Sequence, residues 1–230
     1  MITSRSTALF ALTALLNGWG GAAQAQDNNS IRAGVYLIQY DAQASDISGP
    51  FVPPGVNLDV KDVQTMYFAY VRRLSPHWDL ELAAGVPPKT ETVGKGPAQL
   101  GSVPYSGQVV ATSRWFAPTL LLEYKFLEES ARFRPFVGLG VNFTHFFDNT
   151  STSAGNAANG GPTKIDLSNS TGAAATVGFS YRLREHWSLY GSYSASQIKS
   201  NMTANTSGVI RTTTIDFRPS TIVLSVGHSF

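Results

Sequence analysis

Hydrophobic and polar positions alternate one for one along several stretches of this chain, the period of a strand and not of a helix. In 115–126, Phe116, Pro118, Leu120, Leu122, Tyr124 and Phe126 face one way, and Trp115, Thr119, Leu121, Glu123 and Lys125 the other. In 133–147, Phe133, Val137, Leu139, Val141 and Phe143 oppose Arg134, Phe136, Gly138, Gly140, Asn142 and Thr144. Segments 173–183 and 187–197 repeat the scheme, and in 215–230 Ile222, Leu224, Val226, His228 and Phe230 oppose Thr221, Val223, Ser225, Gly227 and Ser229. Weaker strands over 31–40, 63–73 and 78–86 bring the set to eight. A large apolar outer face over a small or polar inner face suits an all-β, eight-stranded antiparallel transmembrane β-barrel of up-and-down type, with lipid outside and a wet or packed lumen inside.

The connections alternate in length. Leu74 to His77, Leu127 to Arg132 and Arg184 to His186 are short; 41–62, 87–113, 148–170 and 198–214 are long and rich in Gly, Pro, Asn, Ser and Thr, which favour irregular backbone. Short turns are periplasmic and long loops extracellular in such barrels. Two of the short turns share the pattern R-L-x-x-H-W-x-L, at Arg73 to Leu80 and Arg182 to Leu189. The repeat predicts one turn used twice, with Trp78 and Trp187 in the interfacial aromatic girdle.

Arg5, an apolar run over 7–16 and the small-x-small site Ala23-Gln24-Ala25 read as a signal peptide over 1–25, followed by a barrel domain over 26–230. The apolar run is too short to span a bilayer as a helix. Losing Arg5 leaves one positive charge fewer than the formal +2, so no nucleic-acid partner is expected. Charged residues make up 14% of the chain, against roughly 25% in ordinary soluble domains, which favours the barrel. There is no cysteine, hence no disulfide or thiol chemistry. His77, His145, His186 and His228 lack metal-ligand spacing, and no phosphate loop or nucleophile elbow is present. We expect no metal, no cofactor and no enzymatic activity.

Four segments resemble the OmpW family of outer-membrane proteins: Trp78 to Pro87, Ala117 to Tyr124, Arg134 to Phe147, and the closing strand. The chain departs from the family pattern in the long 87–113 loop, in the Asn-, Gly- and Ala-rich 148–170 segment, and at His228. The resemblance implies an eight-stranded barrel in the outer membrane of a Gram-negative bacterium, with an apolar lumen that takes up small hydrophobic molecules. It further implies a route from outside into the lumen and then sideways through the wall. The partners so implied are outer-membrane lipid, small hydrophobic ligands and the barrel-assembly machinery, the last through the closing strand and its terminal Phe230. A monomer is expected.

Eight strands enclose a space just wide enough for side chains or one small ligand, which excludes a wide porin. Asp79, Glu81, Glu123, Lys125, Arg134 and Arg182, with Arg72, point inward near the periplasmic end and would pair as a charged floor. Trp115, Leu121, Phe136, Phe146 and Tyr190 point inward above it as an apolar upper lumen, joined by Tyr36, Ile38, Met66, Phe68 and Tyr70 if the first two strands hold register. Pro118, Pro135 and Pro219 fall inside strands, and each removes a ladder hydrogen bond. Pro87 and Pro118 face one another across strands three and four and mark a lateral opening. Two rivals remain. One is a packed structural or adhesive barrel whose loops are a recognition surface. The other is a lipid-modifying hydrolase, which would need a Ser or Asp beside His145 or His228.

Overall fold

A computed structural model describes residues 28–230; the signal peptide expected over 1–25 lies outside the described residues. Eight strands form the wall: β1 (Asn29–Tyr40), β2 (Val63–Arg73), β3 (Trp78–Gly85), β4 (Thr119–Lys125), β5 (Phe133–Ser151), β6 (Ser170–Arg182), β7 (Trp187–Ser196) and β8 (Pro219–Ser229). Each is antiparallel to its neighbour, and β8 closes on β1 from Ser30 opposite Ser229 to Tyr40 opposite Pro219. Phe230 completes the ring by exchanging backbone hydrogen bonds with Asn29. Closure gives every wall strand a partner on both sides, as a bilayer requires, since water there cannot satisfy an open edge.

The faces are inverted relative to a water-soluble protein. Leu139 is 71% exposed, with Val35, Val177 and Leu224 also outward, while Phe136 and Glu123 are 1% exposed inside. Trp78 and Trp187 project outward, Trp78 edge-on to Tyr124 at 5.1 Å and Trp187 against His228 at 4.7 Å. Both copies of the repeated motif make the same turn. Leu74 N–H donates to Trp78 O and Leu183 N–H to Trp187 O, at 2.8 and 2.9 Å.

β2 corrects the expectation for its register. Tyr67, Ala69 and Val71 point inward, so Met66, Phe68 and Arg72 face out, and Tyr70 is half-buried with its hydroxyl donating to Asn29 Oδ1 at 2.6 Å. Large residues occupy both faces of this strand, so the alternation carried no contrast; the pairing of Tyr67 with Gly85 and Val71 with Glu81 sets the register instead. β1 holds as expected, with Ile38 buried and Tyr36 packed edge-on to Tyr67.

The long loops are not irregular. Strands Asn57–Val60, Lys89–Lys95, Val109–Phe116, Lys164–Leu167, Lys199–Thr206 and Val209–Asp216 continue the wall upward, with one short helix, α1 (Ser153–Asn159), capped at Thr152. Ile47 N–H donates to Val56 O across the remaining seam of this upper tier. These strands do alternate, but their outward positions are Lys199, Asn201, Thr203 and Asn205, over inward Met202 and Ala204. They face water and so lack the apolar outer face that marks a lipid-facing strand.

Candidate functional site: the lumen, its floor and a break in the wall

At the floor, Arg32 is 3% exposed, ion-paired to Glu81, and 3.5 Å from Glu123 through its second amino group. Its guanidinium lies 3.8 Å from the centre of the Tyr190 ring, and Tyr67 donates its hydroxyl to Glu81 at 2.7 Å. Lys125 pairs with Asp79 beside this cluster. Burying these charges is tolerable only because they are mutually paired. Arg32 is absent from the expected set, yet its parity with Tyr36 and Ile38 would have found it.

Two expected floor cations act differently. Arg134 donates to the carbonyls of Pro76, Phe126 and Leu127, and Arg182 to those of Glu129 and Ala131. They clamp the periplasmic turns and do not enter the ion cluster. Arg72 is exposed, and its neighbour Arg73 instead meets Glu129 at 2.5 Å. Beneath the ion cluster is a polar cavity of about 240 Å³ lined by Arg73, Glu129, Arg134, Arg182 and Tyr190.

The five expected lumen residues all point inward, but they do not form one compartment. Phe136 lies opposite Lys125 and Tyr190 under Arg32, so both belong to the floor. Each is only three residues from the periplasmic start of its strand, about 10 Å at the rise of a strand. Alternation assigns a face and not a height. Leu121, opposite Glu81, sits at the level of the ion cluster. Trp115 and Phe146 stand higher. Trp115 donates its indole N–H to Thr90 Oγ1 at 2.9 Å, and Phe146 stacks on Phe217 at 5.3 Å. Ile38, Ile198, Met202 and Ile215 pack with them. Ile38 was expected here; Thr90, Met202 and Ile215 belong to the upper-tier strands and Ile198 and Phe217 to the connections beside them, which is why sequence reasoning missed those five.

Above them the barrel opens into a mouth cavity of about 230 Å³, lined by apolar residues including Val52, Val56, Leu58, Val110 and Met202 and by two polar ones with buried side chains, Tyr105 and Arg211. Burial pushes the Tyr105 phenol up to about 12, so it stays a neutral donor. Below the mouth, voids of about 10 and 20 Å³ run past Trp115 and Phe146. The lumen is thus an apolar funnel that narrows to a ring of aromatics and is closed beneath by paired charges.

The segment expected as one strand over 115–126 is two strands, interrupted at Ala117-Pro118. Towards β5 the register is unbroken: Thr119 faces Asn142, Phe116 faces His145, and Phe143 N–H donates to Pro118 O at 3.0 Å. Towards β3 it breaks. Pairing stops at Thr119 opposite Ala83 and resumes at Arg114 opposite Lys89, where the first register would have given Pro88. One extra residue therefore sits in 84–88, and among the described residues no ladder pair joins it to 115–118. Pro87, Pro88 and Pro118 have no N–H to offer there. Val86 instead binds back to β2, its N–H donating to Met66 O at 3.0 Å. Pro135 and Pro219 make no such break: Pro135 pairs opposite Phe179 and Pro219 opposite Tyr40.

His145 meets Asn169 Oδ1 at 2.8 Å and His228 packs against Trp187; neither contact is with a Ser or an Asp of the kind hydrolysis would use. Among the described residues no group of His, Cys, Asp and Glu is arranged to hold a metal.

Comparison with known proteins places these features in context. The family model described as "OmpW family" matches residues 26–230. Outer membrane protein W of Vibrio cholerae is 26% identical over 87% of this chain and 87% of its own length. The crystal structure of the outer membrane protein OprG from Pseudomonas aeruginosa superimposes with a TM-score of 0.79 at 26% identity, covering 88% of this chain and 95% of that one. Dibenzothiophene metabolism operon protein PahQ of Pseudomonas aeruginosa is 28% identical over 51% of this chain and 52% of its own.

Proposed function

The chain belongs to the OmpW family of outer-membrane β-barrels, and from that premise we propose that it takes up small hydrophobic molecules, admitting them at the extracellular mouth and releasing them sideways into the membrane. The observations that support this reading are the largely apolar mouth cavity, the aromatics Trp115 and Phe146 beneath it, and a break in the wall between 84–88 and 115–118 that begins at Trp115. A greasy solute gains by leaving water for such a lining. The paired charges of the floor would repel it, because passing them means desolvating groups it cannot bind. The only exit that costs no ion pair is then through the wall, where no ladder hydrogen bond has to break. The operon name of PahQ supports an apolar aromatic solute class.

In this reading Trp115 and Phe146 are the gate, and their rings turn aside as solute passes. Pro87 and Pro118 keep the seam unpaired. Trp78 and Trp187 anchor the barrel at the interface, Phe230 presents the strand end to the assembly machinery, and the barrel works as a monomer. The test is uptake by Gram-negative cells of an apolar dye that fluoresces only within a bilayer. Cells making the protein should take it up faster than cells without it. Trp115→Arg or Phe146→Arg should remove the gain while the barrel still shows heat-modifiable migration. Equal uptake with and without the protein would defeat the proposal.

One observation favours a second reading. The voids beside Trp115 and Phe146, about 10 and 20 Å³, have room for about one water each and none for a solute. A lumen packed so tightly also suits a structural or adhesive barrel whose upper tier is a recognition surface. Dye uptake indifferent to the protein would select it.

A further inference from the structure

The mouth cavity is mostly apolar and carries one cation in a telling position. Arg211 lines it and is 8% exposed, yet among the described residues it makes no ion pair. Its Nε donates to the carbonyl of Pro50 at 3.1 Å, and Nη1 donates to Asn159 Oδ1 at 3.2 Å and to Asn159 O at 3.5 Å. Every one of those acceptors is neutral. No Asp or Glu lines the cavity. The contrast with the floor is instructive: there Arg32 and Lys125, equally buried, each have a carboxylate. A buried guanidinium held only by neutral oxygens is short of the counter-charge that offsets its desolvation.

We propose that the mouth cavity selects amphipathic carboxylates, an apolar body lying against Val56, Leu58, Val110 and Met202 and an anionic head on Arg211. Size agrees with this. A cavity of about 150 Å³ holds one benzene ring, so the mouth's volume accommodates a ring with a short acid side chain. The chemistry agrees too. Guanidinium matches carboxylate geometry with two parallel donors and is more weakly hydrated than an ammonium. Pro50 and Asn159 hold the fork, one on the first extracellular segment and one at the end of α1, so the head group would meet a positioned donor. The inference rests on the apolar-uptake reading and adds a head-group preference to it.

The test compares phenylpropionate with phenylpropanol, the same body with and without the charge, by titration calorimetry into the barrel in lipid nanodiscs, with empty nanodiscs as reference. The carboxylate should bind roughly ten- to a hundredfold tighter than the alcohol, the range of a charge-assisted hydrogen bond. Arg211→Gln should abolish that preference, bringing the carboxylate down to the level of the alcohol. Arg211→Lys should keep part of it, which distinguishes loss of charge from loosening of the loop held by Pro50 and Asn159. Equal binding of both probes, insensitive to either substitution, overturns the head-group assignment while the apolar reading stands. Binding of neither probe overturns the apolar site itself.

Discussion

Replacing Arg32 by methionine tests whether the floor is a dry, closed ion cluster. The substitution keeps a flexible side chain of similar length and removes the cation that, among the described residues, ion-pairs with Glu81 and Glu123, while Lys125 pairs with Asp79. Glu81 and Glu123 are almost wholly buried, so neither recovers its solvation by turning to water. Breaking a buried pair by removing one partner costs about 3–5 kcal/mol. Lost stacking of the guanidinium on Tyr190 adds about 1 kcal/mol. Urea unfolding of the refolded barrel in phospholipid vesicles, followed by tryptophan fluorescence, measures the loss as a shift in midpoint at constant slope. Combining Arg32→Met with Glu81→Gln and Glu123→Gln should recover most of it, because deleting both sides of a buried pair is close to neutral. A loss under about 1 kcal/mol for Arg32→Met alone would refute the reasoning, since it is what a solvated pair shows. The floor would then be wet, and the case for sideways exit would fall with it.

Leu139→Arg puts a charge on the most exposed position of the lipid face and should cost about 2–4 kcal/mol in the same unfolding assay. Asn201→Arg, outward on the water-facing upper tier, should stay within about 0.5 kcal/mol. Phe146→Ala should cost about 3–5 kcal/mol and, by joining the small voids beneath the mouth, speed dye uptake; unchanged uptake would remove Phe146 from the gate. Gly140→Ala would drive a methyl group into the carbonyl of Leu120 on the adjoining strand, so the β4–β5 ladder must part and the yield of heat-modifiable barrel should fall sharply.

How much of this was legible in the sequence follows from what alternation can carry. In β5 and β8 the outer face is large and the inner face, Phe136 and Phe146 apart, mostly small or polar, so membership of the wall and the direction of the side chains were plain from the residues alone. In β2, large side chains at Tyr67, Phe68 and Tyr70 fall on both faces, the contrast vanishes, and only pairing with β3 fixes which face is which. The charged floor was half legible. The buried carboxylates and Lys125 were found by parity, whereas the turn-clamping roles of Arg134 and Arg182 depend on carbonyls remote in sequence. The mouth was not legible at all. Part of its lining comes from connections and part from strands whose outer face meets water, and the Thr- and Asn-rich composition of those strands resembles that of loops. The wall break was foreshadowed by Pro87 and Pro118. Its cause is the extra residue in 84–88, which appears only when the register on each side of Pro118 is known.

The central claim is that solute entering at the mouth leaves through the wall and not through the floor. It is tested most directly by timing where an apolar fluorophore first arrives in proteoliposomes whose outer leaflet carries lipopolysaccharide. One set of vesicles has a nitroxide quencher in the bilayer and another has a water-soluble quencher trapped inside. Sideways release predicts that protein-dependent quenching appears first, and fully, in the bilayer-quencher set, and that Trp115→Arg abolishes it. Protein-dependent quenching that appears first in the trapped-quencher set would mean the floor conducts, and would contradict the claim.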